Sequence, residues 1–183
     1  MGDLTAIDPR RTALLTIDLQ NDFLHPDGAY GRAGQGAVAI KALPDRVAPL
    51  RDALRASGGT YVSAQFTLVP GPEGEPLIAP HLKQMRPFLT KGDFAPGGFG
   101  HDLVDTLAPA DYTIEKVAYS AFYQTRLEYI LRALNIDTLI VGGIVTNGFL
   151  CTLYKSNQNL IQVTINIWQV LVRGFSHLHK CFH

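Results

Sequence analysis

Two side chains of opposite charge stand at the ends of predicted β-strands. Asp18 follows the apolar run of residues 11–17 (RTALLTI), and Lys116 closes the run of residues 112–116 (YTIEK). Because the carboxyl ends of parallel strands meet at one edge of a sheet, we expect the two groups to converge there. A carboxylate beside an ammonium in a partly dry pocket can exchange a proton when burial moves its pKa towards neutrality. The pair is typical of acid–base chemistry and, equally, of a structural ion pair at a sheet edge.

A third segment at the same edge has glycines where a reactive side chain is usually held. The apolar run of residues 138–142 (TLIVG) leads into residues 143–150 (GIVTNGFL). A buried strand that breaks into glycines and then opens a helix commonly carries a nucleophile at the helix N-terminus. Here that position carries Phe149, whose benzyl group has no nucleophilic atom. Cys151 lies two residues further on, about 200° around a helix, and is expected to face away from the charged pair.

Alternating strand and helix patterns must position these groups. Apolar residues recur at helical spacing over residues 37–56 and 125–134, whereas residues 69–80 and 91–100 are rich in Pro and Gly and predict loops that line a pocket. The predicted order is strand 11–17, helix 37–56, strand 60–66, short helix 102–107, strand 112–116, helix 125–134, strand 138–141 and strand 160–167. This alternation predicts an α/β fold, an open parallel sheet with helices on both faces and its site at the carboxyl ends of the strands.

Length, charge and composition narrow the classes of function. With 183 residues and 46% hydrophobic content, the chain is sized for a single domain, residues 1–183. Sixteen basic and sixteen acidic residues cancel, which disfavours nucleic acid or an anionic membrane and favours a small molecule or another subunit as partner. Without a long apolar run or a signal-peptide pattern, a cytoplasmic location is predicted. The two cysteines predict neither a disulfide framework nor a zinc site.

The last quarter of the chain differs in composition from the rest. After Asp137 there are 46 residues without Asp, Glu, Ala or Pro, where about five acidic residues are expected from the preceding frequency. Three interpretations stay open for the tail after about residue 150, of which the first two are an altered or uncertain sequence and a divergent segment. Chance drift in a core-rich stretch is the third.

Three separated motifs resemble the isochorismatase-like hydrolases, also called the cysteine hydrolase superfamily. They are residues 17–23 (IDLQNDF), residues 114–116 (IEK) with 120–122 (SAF), and residues 143–147 (GIVTN), in the order and at the intervals of that family. The resemblance runs from about residue 12 to residue 150. It implies a Rossmann-like domain, usually a homo-oligomer (dimer or tetramer), that hydrolyses small amides or ureido compounds or, in one branch, a vinyl ether. The family usually has a last helix, and this sequence is expected to end before it, which predicts a truncated chain.

The resemblance assigns roles to the residues that match its motifs. In the amide-cleaving members an Asp takes the thiol proton of a Cys, a Lys stabilises the charge, and the thiolate attacks the carbonyl. Asp18 is then the base and Lys116 its partner, and the Cys position falls on Phe149. The backbone N–H groups of Gly148 and Phe149 would form the oxyanion hole.

Two alternative functions stay open beside amide hydrolysis. In the vinyl ether branch a small residue replaces the Cys, and Asp18 would act as a general acid. A Phe at that position would fill space that a substrate occupies. A non-catalytic relative that keeps the fold for binding or assembly is the other alternative.

Further residues are predicted to contact the substrate. Gln20 and Thr146 would supply polar contacts, although amides after a strand more often cap the loop backbone. An aromatic wall around a small planar substrate is predicted from Phe23, Tyr119, Phe122 and Tyr123, although an aromatic near a helix start is more often core. No metal or other cofactor is expected, because residues 64–68 (AQFTL) lack the Asp-x-His pattern of the zinc-binding nicotinamidase branch.

Overall fold

Five parallel strands form the central sheet. The structure is a computed structural model that describes residues 7–36, 38–144 and 162–164. The strands lie in the order β3-β2-β1-β4-β5, and their bounds are β1 (Thr12–Ile17), β2 (Thr60–Phe66), β3 (Tyr112–Lys116), β4 (Thr138–Gly143) and β5 (Gln162–Thr164). All neighbouring pairs are parallel. The predicted α/β class with an open parallel sheet is confirmed.

Short helices connect the strands. Their bounds are α1 (Asn21–Leu24), α2 (Ala29–Arg32), α3 (Val38–Lys41), α4 (Leu43–Ala56), α5 (Pro80–Met85) and α6 (Leu127–Ala133), with a 3₁₀ turn at Pro9–Arg11. The sequence predicts one helix over residues 37–56, whereas the structure divides it into α3 and α4. Pro44 lies in the first turn of α4, the position where a missing backbone N–H costs least.

The sheet is covered on both faces. Alternate residues of a strand point to opposite faces, and Leu14 accordingly packs in a core cluster with Val47 and Leu54 of α4. Leu15 packs in a second cluster with α6, whose Leu127 and Leu131 are fully buried. Every residue of β1 is buried, as expected for a central strand with helices on both sides.

The predicted helix over residues 102–107 does not form. This segment pairs with the loop that follows β1, through a bridge between Gln20 and Leu103 and a 3.1 Å bond from the Val104 N–H to the Leu19 carbonyl. Backbone groups that a helix would satisfy internally are thus paired with another segment. Within the described ranges, no helix has the length and apolar character needed to cross a membrane.

Candidate active site

Asp18 and Lys116 form a buried ion pair at the carboxyl edge of the sheet. The Lys116 Nζ lies 2.9 Å from Asp18 Oδ1 and 3.0 Å from Oδ2. The Lys116 side chain is 2% exposed and the Asp18 side chain is 8% exposed. The expectation that these two strand ends bring their charged groups together is therefore confirmed.

Neighbouring strands fix the positions of both groups. Asp18 directly follows β1, and its N–H donates to the Ala64 carbonyl of β2 at 2.9 Å. Lys116 is the last residue of β3 and lies in register with Phe66 at the end of β2. Asp18 has φ of 62°, a left-handed conformation that Asp tolerates better than most residues but that still costs about 1 kcal/mol or more. Such a strained backbone is typical of functional sites held by a rigid scaffold.

Two opposing effects act on the Asp18 carboxyl. Burial is the larger and raises its pKa above the ordinary value of 3.8, while the Lys116 charge and hydrogen bond lower it. The contact between Nζ and Oδ2 has hydrogen-bond geometry, but Oδ1 lacks a hydrogen-bond partner among the described residues. Asp18 therefore has one buried acceptor oxygen that lies 2.9 Å from the Lys116 Nζ without a hydrogen bond of its own, and a pKa raised from its ordinary value.

The pair lines a pocket of about 260 Å³. Its described wall combines charged, aromatic and apolar side chains: Asp18, Phe23, Phe66, Ala79, His81, Leu82, Arg86, Lys116, Val117, Ala118 and Tyr119. This volume suits a small substrate, and a mostly apolar wall with few polar groups is typical of small-molecule sites.

The predicted aromatic residues divide between the pocket and the core. Phe23 and Tyr119 both line the pocket. Phe23 is buried and packs 4.6 Å from the ring of Phe94. Phe122 instead packs against the α6 side of the sheet and is not part of the described pocket wall. The sequence did not single out Phe66, whose place at the end of β2 puts it at the same edge as Asp18.

Gln20 braces the backbone instead of lining the pocket. It is fully buried. Its Nε2 donates to the carbonyls of Phe66 at 2.9 Å and His101 at 3.0 Å, and its Oε1 accepts from the Phe66 N–H at 2.7 Å. The amide donors that substrate binding would need are thus engaged in holding the end of β2, as amides after a strand commonly do.

Three of the predicted site residues lie outside the described residues. These are Thr146, Gly148 and Phe149, so the predicted polar contact, the oxyanion donors and the nucleophile position stay predictions. In the part of the chain that the structure describes, no three His, Cys, Asp or Glu side chains are grouped to hold a metal ion.

The pocket also contains two residues that sequence reasoning missed. Arg86 is half-buried just after α5, and His81 is exposed on that helix. Helix α5 lies in a segment without a recognisable motif, so only the tertiary fold brings it over the strand ends. The one sequence signal for these residues is that their segment directly follows the Pro-rich loop of residues 69–80, which was predicted to line the pocket.

The chain matches a known domain family and several curated relatives. The family model described as the isochorismatase domain matches residues 12–152. Ureidoacrylate amidohydrolase RutB of Azorhizobium caulinodans is 35% identical over 148 residues, which are 74% of this chain and 65% of that protein. The RutB of Caulobacter vibrioides is 31% identical over 153 residues, 77% of this chain and 68% of that protein. The chain thus spans less than two thirds of the Azorhizobium protein.

Solved structures share the fold. A cysteine hydrolase from Pseudomonas syringae pv. phaseolicola superposes with a TM-score of 0.68 at 23% identity, over 87% of this chain and 71% of that one. N-carbamoylsarcosine amidase from Thermoplasma acidophilum gives 0.64 at 23% identity, over 85% and 80%. These similarities extend the agreement from the sequence motifs to the fold. The chain belongs to the isochorismatase family.

Proposed function

We propose that this site hydrolyses the C–N bond of a small amide or ureido compound. The buried pair of Asp18 and Lys116 in the wall of the pocket is the observation that carries the proposal. The two relatives above are ureidoacrylate amidohydrolases, which favours a ureido compound among the amides. Asp18 takes up and returns the proton, and Lys116 keeps the carboxylate charge neutralised while that happens.

The nucleophile in this proposal is water. Phe149 offers no atom that could attack a carbonyl. Asp18 accepts the proton of the attacking water and passes a proton to the leaving nitrogen as the C–N bond breaks. Without the covalent step that a thiolate provides, turnover should be slow compared with that of a cysteine hydrolase.

Ammonia release from a panel of ureido compounds and primary amides tests the proposal. Asp18→Asn should reduce turnover by about 100-fold or more, because it removes the proton acceptor. Asp27→Asn is the matched control, since the Asp27 side chain is exposed and outside the pocket, and it should leave turnover unchanged. Hydrolysis that survives Asp18→Asn would remove the assigned base.

A gain-of-function variant tests the position of the nucleophile. The family pattern places a Cys at residue 149, so Phe149→Cys should raise ammonia release. Iodoacetamide should then abolish the gain, while leaving the water-dependent turnover of the unmodified sequence intact. Cys151→Ala in the same background separates labelling at the two positions. No gain in the variant would contradict the predicted place of residue 149 beside Asp18.

Phe149 also favours a second function, a family member that binds a small ligand without turning it over. Ammonia release by Phe149→Cys and by the unmodified chain separates the two functions. Turnover in Phe149→Cys without any in the unmodified chain supports the binding role, whereas turnover in both supports the hydrolase.

A further inference from the structure

The pocket contains a second cation that amide hydrolysis does not require. Arg86 is half-buried in the pocket wall. Its guanidinium carbon lies 5.8 Å from the centre of the Phe66 ring, and the Lys116 Nζ lies 5.4 Å from the same centre. The two cations are therefore arranged about one aromatic ring of the pocket wall.

The positive charge of Arg86 is not neutralised by the described residues. Among the described residues of the pocket wall, Asp18 is the one carboxylate, and it is paired with Lys116. The salt bridges of the described chain do not include Arg86. Of the lysine, arginine and aspartate side chains of this wall, Lys116 and Arg86 outnumber Asp18, which leaves one positive charge in excess. An apolar surrounding strengthens the attraction of such a charge for an anion.

The guanidinium of Arg86 is also held in place. It interacts with the hydroxyl of Tyr30, a half-buried residue whose pKa is raised by burial and which stays neutral. The Tyr30 ring in turn packs 5.0 Å from both Phe23 and Phe88. A guanidinium has five N–H donors in a planar fork that matches a carboxylate. One contact to Tyr30 leaves donors for a ligand, and a fixed side chain loses less entropy on binding.

We propose that Arg86 binds a carboxylate of the substrate, so that the natural substrate is a ureido or amido acid. The acid group lies at the α5 side of the pocket, and the scissile carbonyl lies at Asp18 and Lys116. The inference rests on the proposed function for the reacting end of the molecule, but it predicts binding even if no turnover follows.

A pair of probes that differ in one charge tests the inference. N-carbamoylglycine carries a carboxylate, and its methyl ester does not. Calorimetry should show the acid binding about 10- to 100-fold more tightly than the ester to the unmodified chain, the range expected for hydrogen bonds to a charged group. Where turnover occurs, the same ratio is measured from kcat/KM.

Variants of Arg86 identify the residue responsible. Arg86→Gln should abolish the preference for the acid and change the affinity for the ester by less than about threefold, and Arg86→Lys should retain part of the preference. Lys83→Gln is the matched control, because Lys83 is an exposed cation of α5 that does not line the pocket. Circular dichroism checks that each variant folds. If Arg86→Gln does not fold, the preference for the acid is measured in Arg86→Lys instead.

The outcomes separate this inference from the proposed function. Equal affinity for acid and ester, no binding of the acid at millimolar concentration, or a preference that survives Arg86→Gln would each overturn the role of Arg86. Turnover of the ester without a preference for the acid leaves the hydrolase and removes the carboxylate site. Tight binding of the acid without ammonia release supports the carboxylate site and contradicts the hydrolase.

Discussion

The Asp18 carboxyl combines a buried environment with an ion pair to Lys116. Burial raises its pKa, and the nearby Lys116 and Arg86 charges oppose that effect. A fully solvated Asp would be a weak base at neutral pH, whereas one whose pKa is raised is better matched to proton transfer.

The pKa of Asp18 should be visible in titration. Asp18 must be ionised to act as a base, so the rate should fall as the pH is lowered through its pKa. Because burial raises that pKa, the acid limb should lie above pH 3.8. NMR of ¹³C-labelled Asp carboxyls, with the Asp18 signal assigned from its loss in Asp18→Asn, measures the same value without requiring activity. A titration at or below 3.8 would contradict the dominance of burial.

Lys116 should be essential to stability as well as to chemistry. Lys116→Met leaves the Asp18 charge buried without a counterion and should lower the free energy of unfolding by about 3–5 kcal/mol. The double variant Asp18→Asn/Lys116→Met should lose less than the sum of the two single changes, because no unpaired charge remains. Urea unfolding measures the free energy of unfolding of the unmodified chain, the two single variants and the double variant. Additive losses would mean that the two groups do not depend on each other.

At the scale of elements, close packing of β1 against β4 positions the site. Gly143 lies opposite Ile17, the residue before Asp18. It has φ of 150°, and a Cβ there would lie 2.3 Å from the Ile17 carbonyl oxygen. Only a glycine fits this contact, so the glycines that sequence reasoning linked to a reactive loop also permit the strands to meet beside the Asp18 carboxylate.

A pair of glycine substitutions tests that contact. Gly143→Ala should lower the free energy of unfolding by about 3 kcal/mol, through the clash and the backbone conformation together. It should also reduce turnover, because it displaces the end of β1. Gly142→Ala is the control: it has nothing within 4 Å of the added Cβ and should cost less than about 1 kcal/mol. Thermal and chemical denaturation compare the two, and similar losses in both would refute the close contact.

At the scale of the whole molecule, we infer one isochorismatase domain that assembles into oligomers. The family model covers residues 12–152, and large side chains of the pocket wall are exposed, with Val117 at 54% and Tyr119 at 48%. Exposed apolar groups next to a site are typical of surfaces that associate.

Association should be measurable directly. Light scattering after size exclusion should give the mass of a dimer or tetramer, and the melting temperature should rise with protein concentration, because folded subunits are stabilised by assembly. A monomeric mass at all concentrations would contradict the prediction.

Local patterns were enough to predict the strands and their direction. The bounds of β2 and β3 agree with the runs of residues 60–66 and 112–116, because buried strands are dictated by short apolar and β-branched sequences. The segment at 102–107 was mispredicted, since its backbone pairs with the distant residues Leu19 and Gln20. Helical spacing in so short a segment says nothing about such a partner.

The sequence by itself determined the family, the parallel sheet and the meeting of Asp18 with Lys116, because strand direction and strand ends follow from local patterns and motifs. Tertiary structure alone decided what surrounds that pair. It assigned Gln20 to the backbone, moved Phe122 to the opposite face, and brought Arg86 into the pocket. The physical reason is that burial, hydrogen-bond partners and net pocket charge depend on residues far apart in the chain, which no local spacing encodes.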